Sequence, residues 1–251
     1  MKHPALWRLG LTAALVLTLE ALCRSGVISS FTMIPPSQMV VALVGMVLHA
    51  DWFWTDARYT FENVAAAIVL SAIPGFLLGL VIHALPRLRR VLNPVLLSYY
   101  SVPTFVFYPL LIVIFGIDQL SLIVMGAMFG VVAMISSTLT AIDRIPGVYG
   151  KVARVLRMNR ARTALRIVLP AATPHLFTGL KLAVAYSVIG VIAGEFILAT
   201  AGLGRRLSLS FNEFDNPTMY GLIVLIFIVV AVINSGLQRW EARIYRRWYR
   251  T

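Results

Sequence analysis

The sequence predicts an all-α integral membrane protein of about six transmembrane helices, and three observations carry that reading. Hydrophobic residues fill 59% of the 251 positions and charged residues only 13%, roughly half the charged share of a soluble domain. Mean hydropathy is +0.85. The apolar residues also gather into runs close to the ~20 residues that a helix needs to cross a bilayer. No Pro/Gly/Ser-rich linker divides the chain and no internal repeat is visible, so one transmembrane domain over 1–251 is expected.

The first span, 9–23, follows Lys2, His3 and Arg8. Its charge and length resemble a signal peptide, but it lacks a small-residue cleavage site and contains Glu20. It therefore reads as an uncleaved helix with a cytoplasmic N-terminus. Pro35-Pro36-Ser37 marks a helix start, with Ser37 as the N-cap. The apolar run 39–48 is too short to span, so it reads as an interfacial helix or a short buried one. Trp52, Phe53 and Trp54 fit an aromatic belt.

A second span, 60–85, contains Pro74-Gly75, a pair that kinks membrane helices, and ends at a basic turn of Pro86, Arg87, Arg89 and Arg90. The third span, 92–115, holds Pro94, Pro103 and Pro109, so it is expected to bend or unwind locally. After a turn at 116–119 comes the fourth span, 120–142. The fifth covers 176–198. In 199–217 Leu203, Leu207, Phe211 and Phe214 recur at helical spacing, predicting a short amphipathic helix on the outer end. The sixth span, 218–238, leads into an arginine-rich tail.

Charge sets the orientation. Seventeen of the 22 Lys and Arg residues fall on one side if both termini are cytoplasmic: Lys2 and Arg8, the arginines of 87–90, seven in 143–174, and Arg239, Arg243, Arg246, Arg247 and Arg250. Such asymmetry is the positive-inside pattern. The net charge of +12 thus reports membrane orientation, with anionic lipid as a contact, and nucleic acid is not an expected partner. Cys23 is alone, which excludes an intrachain disulfide and a cysteine-built metal site. Four dispersed histidines form no catalytic or metal cluster, and no G-x-x-x-x-G-K-[ST] run offers a nucleotide site. No catalytic or metal residue is assigned, and the chain does not read as an enzyme.

The segment 143–174 is the polar island of the chain, and it exceeds the 2–8 residues that a helix connection needs. Val148, Val152, Val155 and Leu156 are spaced for one face of a short helix. Asn159 is an N-cap for a second helix over 160–168, carrying Ala161, Leu165 and Val168, and Pro170 and Pro174 are expected to end it. Two short helices joined by a turn make a docking knob; a lipid-binding basic patch is the plainer reading. Elsewhere, Ser98, Tyr99, Tyr100, Ser101 and Thr104 place polar groups beside Pro103, either on a water-filled path or simply bonding between helices. Glu195, near the outer end of the fifth span, is a gate candidate or a hydrogen-bonding partner of the neighbouring loop. His83 and His175 read as interfacial, and Lys181 as snorkelling towards the inner surface.

The island is similar to the cytoplasmic loop that carries the EAA motif in permease subunits of bacterial ABC importers. That motif runs Pro, a spacer, Glu-Ala-Ala-(Arg), a spacer, Gly, about eleven residues, then Leu-Pro. Here stand Pro146, Lys151-Val152-Ala153-Arg154, Arg157-Met158-Asn159 and Leu169-Pro170. Thr178-Gly179-Leu180-Lys181, Gly194-Glu195-Phe196 and Gly202-Leu203-Gly204 resemble the branch importing nitrate, sulfonates, taurine and thiamine-precursor pyrimidines, as do Ile34-Pro35-Pro36-Ser37, Ser101-Val102-Pro103, Tyr108-Pro109-Leu110 and Phe115-Gly116. The likeness runs from about residue 34 to the end.

The resemblance implies a type I importer permease in the bacterial inner membrane. Its implied partners are a second permease copy, a cytoplasmic ATPase dimer that binds ATP and Mg, and a periplasmic or lipid-anchored binding protein. No cofactor is implied for this chain. The coupling positions are Val148, Lys151, Val152, Ala153, Arg154, Leu156, Arg157, Asn159 and Leu165, and the pathway candidates are Ser98, Tyr99, Ser101, Thr104 and Glu195. The family's Glu position is Lys151 and its Gly position Arg157, where a positive φ is disfavoured for arginine. Either Asn159 takes over that turn or the two helices meet differently. The competing readings are an autonomous channel or secondary carrier, an integral-membrane enzyme, and a degenerate permease with weak ATPase coupling.

Overall fold

The computed structural model describes residues 4–99 and 101–248; Lys2, His3, Tyr100 and Arg250 lie outside the described residues. The core is a stack of three long helices. These are α3 (Asp51–Ala84), α6 (Gln119–Asp143) and α9 (Leu169–Leu198), with α1 (Pro4–Arg24), α2 (Pro36–His49), α4 (Pro86–Tyr99), α5 (Tyr108–Phe115), α7 (Val148–Val155), α8 (Arg160–Thr163), α10 (Leu203–Asn212) and α11 (Asn216–Trp248) around it. Among the described residues there is no strand.

Small residues let the three core helices approach closely, as membrane packing requires where no hydrophobic gradient drives association. Ala67 meets Gly126, Ser71 meets Gly130, Gly75 meets Met134 and Gly79 meets Thr138. The pairs advance together in four-residue steps, so α3 and α6 run parallel. On the other face of α6, Gly126 and Gly130 meet Ser187 while Gly179 meets Ser137, so α9 runs antiparallel. The Ser71 and Ser187 hydroxyls, 3.1 Å apart and buried, tie α3 to α9 at mid-height.

Four helices are long and apolar enough to cross a membrane among the described residues: Asp51–Ala84, Gln119–Asp143, Ala164–Leu198 and Asn216–Ile244. The pair Pro86–Tyr99 and Thr104–Phe115, bent by 95°, makes a fifth if counted as one span. Helix α1 has 21 residues, about 32 Å at 1.5 Å per residue, although several side chains of its first turns lie outside the described set.

Several elements differ from the sequence reading. Residues 86–90 form no turn; Pro86 opens α4, where its missing N–H costs nothing. The expected third span is broken after Tyr99, and Pro103 leads into a 3-10 turn, Thr104–Phe107. Trp52, Phe53 and Trp54 are the first turn of α3, which continues through Pro74 for 34 residues. Ser37 is not the cap of α2: Pro35 holds that position. The capping oxygens come from α1, where Glu20 accepts the Ser37 N–H at 3.0 Å and its hydroxyl at 2.7 Å.

Pro170 and Pro174 do not end a second island helix. The chain turns once as a π-helix over Ala164–Val168 and runs into α9 as one helix to Leu198. Pro170 cannot donate an i→i−4 bond and its ring crowds the carbonyl four residues back, and a π turn widens the helix just before it. At the other end α11 passes 238 and carries the arginine tail on as helix to Trp248.

Contacts at the helix ends define two faces. On one face, Arg89 grips Asp143 through both guanidinium arms, and His83 Nδ1 lies 3.7 Å from the same carboxylate. Lys181 pairs there with Glu241 of α11 instead of snorkelling alone, beside an edge-to-face contact of Phe177 and Trp240. On the opposite face, Asn216 and Tyr220 of α11 donate to the carbonyls of Phe31 and Thr32 at 2.6 and 2.7 Å.

Candidate functional site

Two clusters gather candidate and buried polar residues, and α9 connects them. The first is the knob built by α7, α8 and the turn between them. Leu156 caps α7, and beyond it the Arg157 N–H donates to the Arg154 carbonyl at 3.0 Å and the Met158 N–H to the Ala153 carbonyl at 2.9 Å. This is a Schellman ending, whose residue after the cap must be left-handed. Arg157 takes that conformation itself, at φ 50°. Asn159 does not take over the turn; its Oδ1 accepts the Arg162 N–H at 2.8 Å, capping the next helix as expected from its residue type.

The knob therefore has a fixed angle, locked by backbone bonds on one side of Arg157 and by a side-chain cap on the other. The apolar stripe expected on α7 faces outward: Val148, Val152, Val155 and Leu156 are exposed, as is Leu165 beyond the turn. Ala153 alone among the coupling candidates is buried, at 5% exposure. Lys151, Arg154 and Arg157 are exposed beside the stripe. A cleft of about 1000 Å³ opens between α7, the π turn and the C-terminal end of α11, lined by Tyr149, Val152, Leu156, Met158 and Arg162.

The second cluster sits at the far end of α9. Glu195 is fully buried, and its Oε2 accepts the Thr60 hydroxyl at 2.8 Å and the Gly204 N–H at 3.0 Å. Thr60 Oγ1 in turn accepts the Leu203 N–H at 2.8 Å, and Asp56 accepts the Gly202 N–H at 3.3 Å and Arg206 Nε at 2.5 Å. Three α3 and α9 side chains thus satisfy the free N–H groups that begin α10. Arg206 also lies over the Trp52 ring, 4.6 Å from its centroid.

Gly202 makes this clasp possible. Its φ is +105°, and a Cβ there would lie 2.5 Å from the Glu195 carboxyl carbon. Asp56, Thr60 and Arg206 were missed by reading the sequence; hydrophobicity gives no sign that the first three turns of α3 face a loop about 140 residues away. On α10 the expected stripe divides. Leu203 is buried, while Phe211 and Phe214 are exposed, and Phe214 is left-handed at φ 56° and stacks on Phe31 at 5.4 Å.

The remaining candidates gather at the break after α4. Tyr99 donates to the Met128 carbonyl of α6 at 2.8 Å, and Thr104 is buried beside it with its hydroxyl 3.4 Å from the Val102 carbonyl. Ser98 and Ser101 are exposed. The structure brings Tyr99 and Thr104 together against α6 and leaves Glu195 in the separate clasp.

Comparison with known proteins follows this geometry. The family model described as binding-protein-dependent transport system inner membrane component matches residues 75–249. The nitrate import permease protein NrtB of Leptolyngbya laminosa is 28% identical over 73% of this chain and 65% of its own length. The taurine transport system permease protein TauC of Escherichia coli K12 is 26% identical over 84% of this chain and 78% of its own length. Among solved structures, an inward-facing form of the MetNI methionine ABC transporter superposes with a TM-score of 0.65 at 19% identity, covering 78% of this chain and 99% of that one.

Proposed function

The chain belongs to the family of binding-protein-dependent transport system inner membrane components, and we propose that it lines the pathway of an ATP-driven importer of a small polar solute. The nitrate and taurine permeases to which it is similar point to the anionic or zwitterionic end of that class. A second permease copy completes the pathway, a binding protein delivers the solute, and a cytoplasmic ATPase pair grips 143–174. Both termini then lie in the cytoplasm, and ATP is bound and hydrolysed outside this chain.

One observation carries the proposal. The knob and the clasp are the two ends of one continuous helix. From Ala164 to Leu198 that helix has 35 residues, about 52 Å, and its inner end is locked to α7 through the Arg157 turn. A stiff rod converts a push on the knob into movement of Glu195 against α3 and α10, which is the rigid-body switching that alternating access needs. Glu195 and Tyr99 act as supports of that movement.

Uptake by proteoliposomes tests the assignment. With ATPase and binding protein reconstituted, Val152→Arg places a charge on the exposed face of α7 without touching the core. ATP-driven uptake should be lost while membrane insertion is retained. Uptake at the wild-type rate would remove residues 143–174 from the coupling role.

A further inference from the structure

We infer that the Glu195 carboxyl group is a neutral acid in the clasp, with its proton on Oε1 and donated to Asn63 of α3. This charge state concerns the clasp alone and is independent of any docking at 143–174. Glu195 is 0% exposed and Asn63 1%. Asn63 lies one turn along α3 from Thr60, within reach of Glu195 and Tyr59. Yet among the described residues Glu195 Oε1 and both polar atoms of the Asn63 side chain have no hydrogen-bond partner. Two neighbouring buried groups are short of partners at one place, and such groups are rare enough to call for a cause.

Charge points the same way. Among the described residues Glu195 makes no ion pair. The titratable groups around it are Asp56 and Tyr59 of α3 and Tyr108 of α5. Arg206 of α10, the cation of the clasp, is held by Asp56 at 2.5 Å. An ionised Glu195 would be a second anion beside Asp56 with no cation of its own, and burying an unpaired charge is strongly unfavourable. A proton removes that charge. It also makes Oε1 a donor, as in other buried acids that stay neutral in order to donate. Oε2 keeps the Thr60 hydroxyl and the Gly204 N–H at 2.8 and 3.0 Å. The orphaned Asn63 Oδ1 accepts the new donor, which leaves Nδ2 for the Tyr59 oxygen. One proton thus pairs two stranded acceptors.

Difference infrared spectroscopy on the full chain in nanodiscs reads the charge state, because protonated and ionised carboxyl groups have separate stretches. Subtracting Glu195→Gln from wild type at neutral pH should leave one acid band and no carboxylate band. Asn63→Leu should move that acid band to higher frequency, as an acid does when it loses its acceptor. Glu195→Gln keeps a donor and an acceptor in place without a charge, so its thermal midpoint should stay within about 2 °C of wild type. A carboxylate band in place of the acid band overturns the proposal, as does a midpoint as low as that of Glu195→Leu. An acid band that Asn63→Leu does not move overturns Asn63 as the acceptor. Should Glu195→Gln fail to fold, the wild-type and Asn63→Leu spectra decide between them. A shifted acid band then supports the proton, and an unchanged acid region overturns it.

Discussion

The Met158 amide donates to the Ala153 carbonyl at 2.9 Å, and the Arg157 between them is held at φ 50°. A left-handed non-glycine residue costs about 1–2 kcal/mol, and among the described residues no ion pair of the Arg157 side chain repays that. Arg157→Gly should therefore stabilise the knob by about 1 kcal/mol, read as slower hydrogen exchange at Met158. Arg157→Val should accelerate that exchange, because a β-branched residue is worse still in this conformation. If both variants exchange like wild type, the turn is not strained.

Glu195 and Gly202 make a paired prediction at the other end of the rod. Glu195→Leu leaves the Thr60 hydroxyl and the Gly204 N–H short of an acceptor, at about 1–3 kcal/mol for each buried group. Gly202→Ala forces a Cβ against the same carboxylate at an unsuitable φ, costing about 1–3 kcal/mol. Both should lower the thermal midpoint of the purified protein. Each should do so less in the presence of the other, since the alanine no longer meets the carboxylate.

Lys181 and Glu241 join α9 to α11 with both side chains mostly buried. Replacing either by alanine should cost about 1–3 kcal/mol, short of the full penalty for a buried ion because some solvent reaches both. The exchange of the two, Lys181→Glu with Glu241→Lys, should restore most of the loss. A double-mutant cycle without coupling would remove the pair from the account.

Gly130 sits where α3, α6 and α9 meet. A Cβ there would lie 2.6 Å from Ser187 Oγ and 2.8 Å from the Ala183 carbonyl and Ser71 Cβ. Gly130→Ala should cost about 1–3 kcal/mol by overpacking, and Gly130→Leu should prevent assembly of the core. Monodisperse Gly130→Leu protein with a wild-type melting curve would contradict this packing.

Much of this was legible in the residues. Hydropathy discloses a helical membrane bundle, because lipid allows few other solutions. Asn159 announced its cap through residue type, and Pro103 announced the break after α4. The failures have two causes: an adjacent backbone adjustment overrode a stop signal, and bonds to distant segments outvoted local ones. Pro170 and Pro174 read as stops, yet a π turn before them carries the helix on. Ser37 read as a cap, yet Glu20 from another helix supplies the oxygens. Thr60 read as the start of an ordinary span and Asp56 lay unassigned before it, and only the fold brings them to the amides of 202–204. Lys181 gave no sign of its partner, 60 residues downstream.

In the proposed mechanism the knob and the clasp move as the two ends of one helix. Hydrogen exchange at the Gly202, Leu203 and Gly204 amides, with and without ATP, in the membrane-reconstituted complex tests it most directly. ATP should raise exchange at these amides, and Val152→Arg should abolish the response while leaving the resting rate unchanged. Identical exchange with and without ATP in the wild-type complex would contradict it.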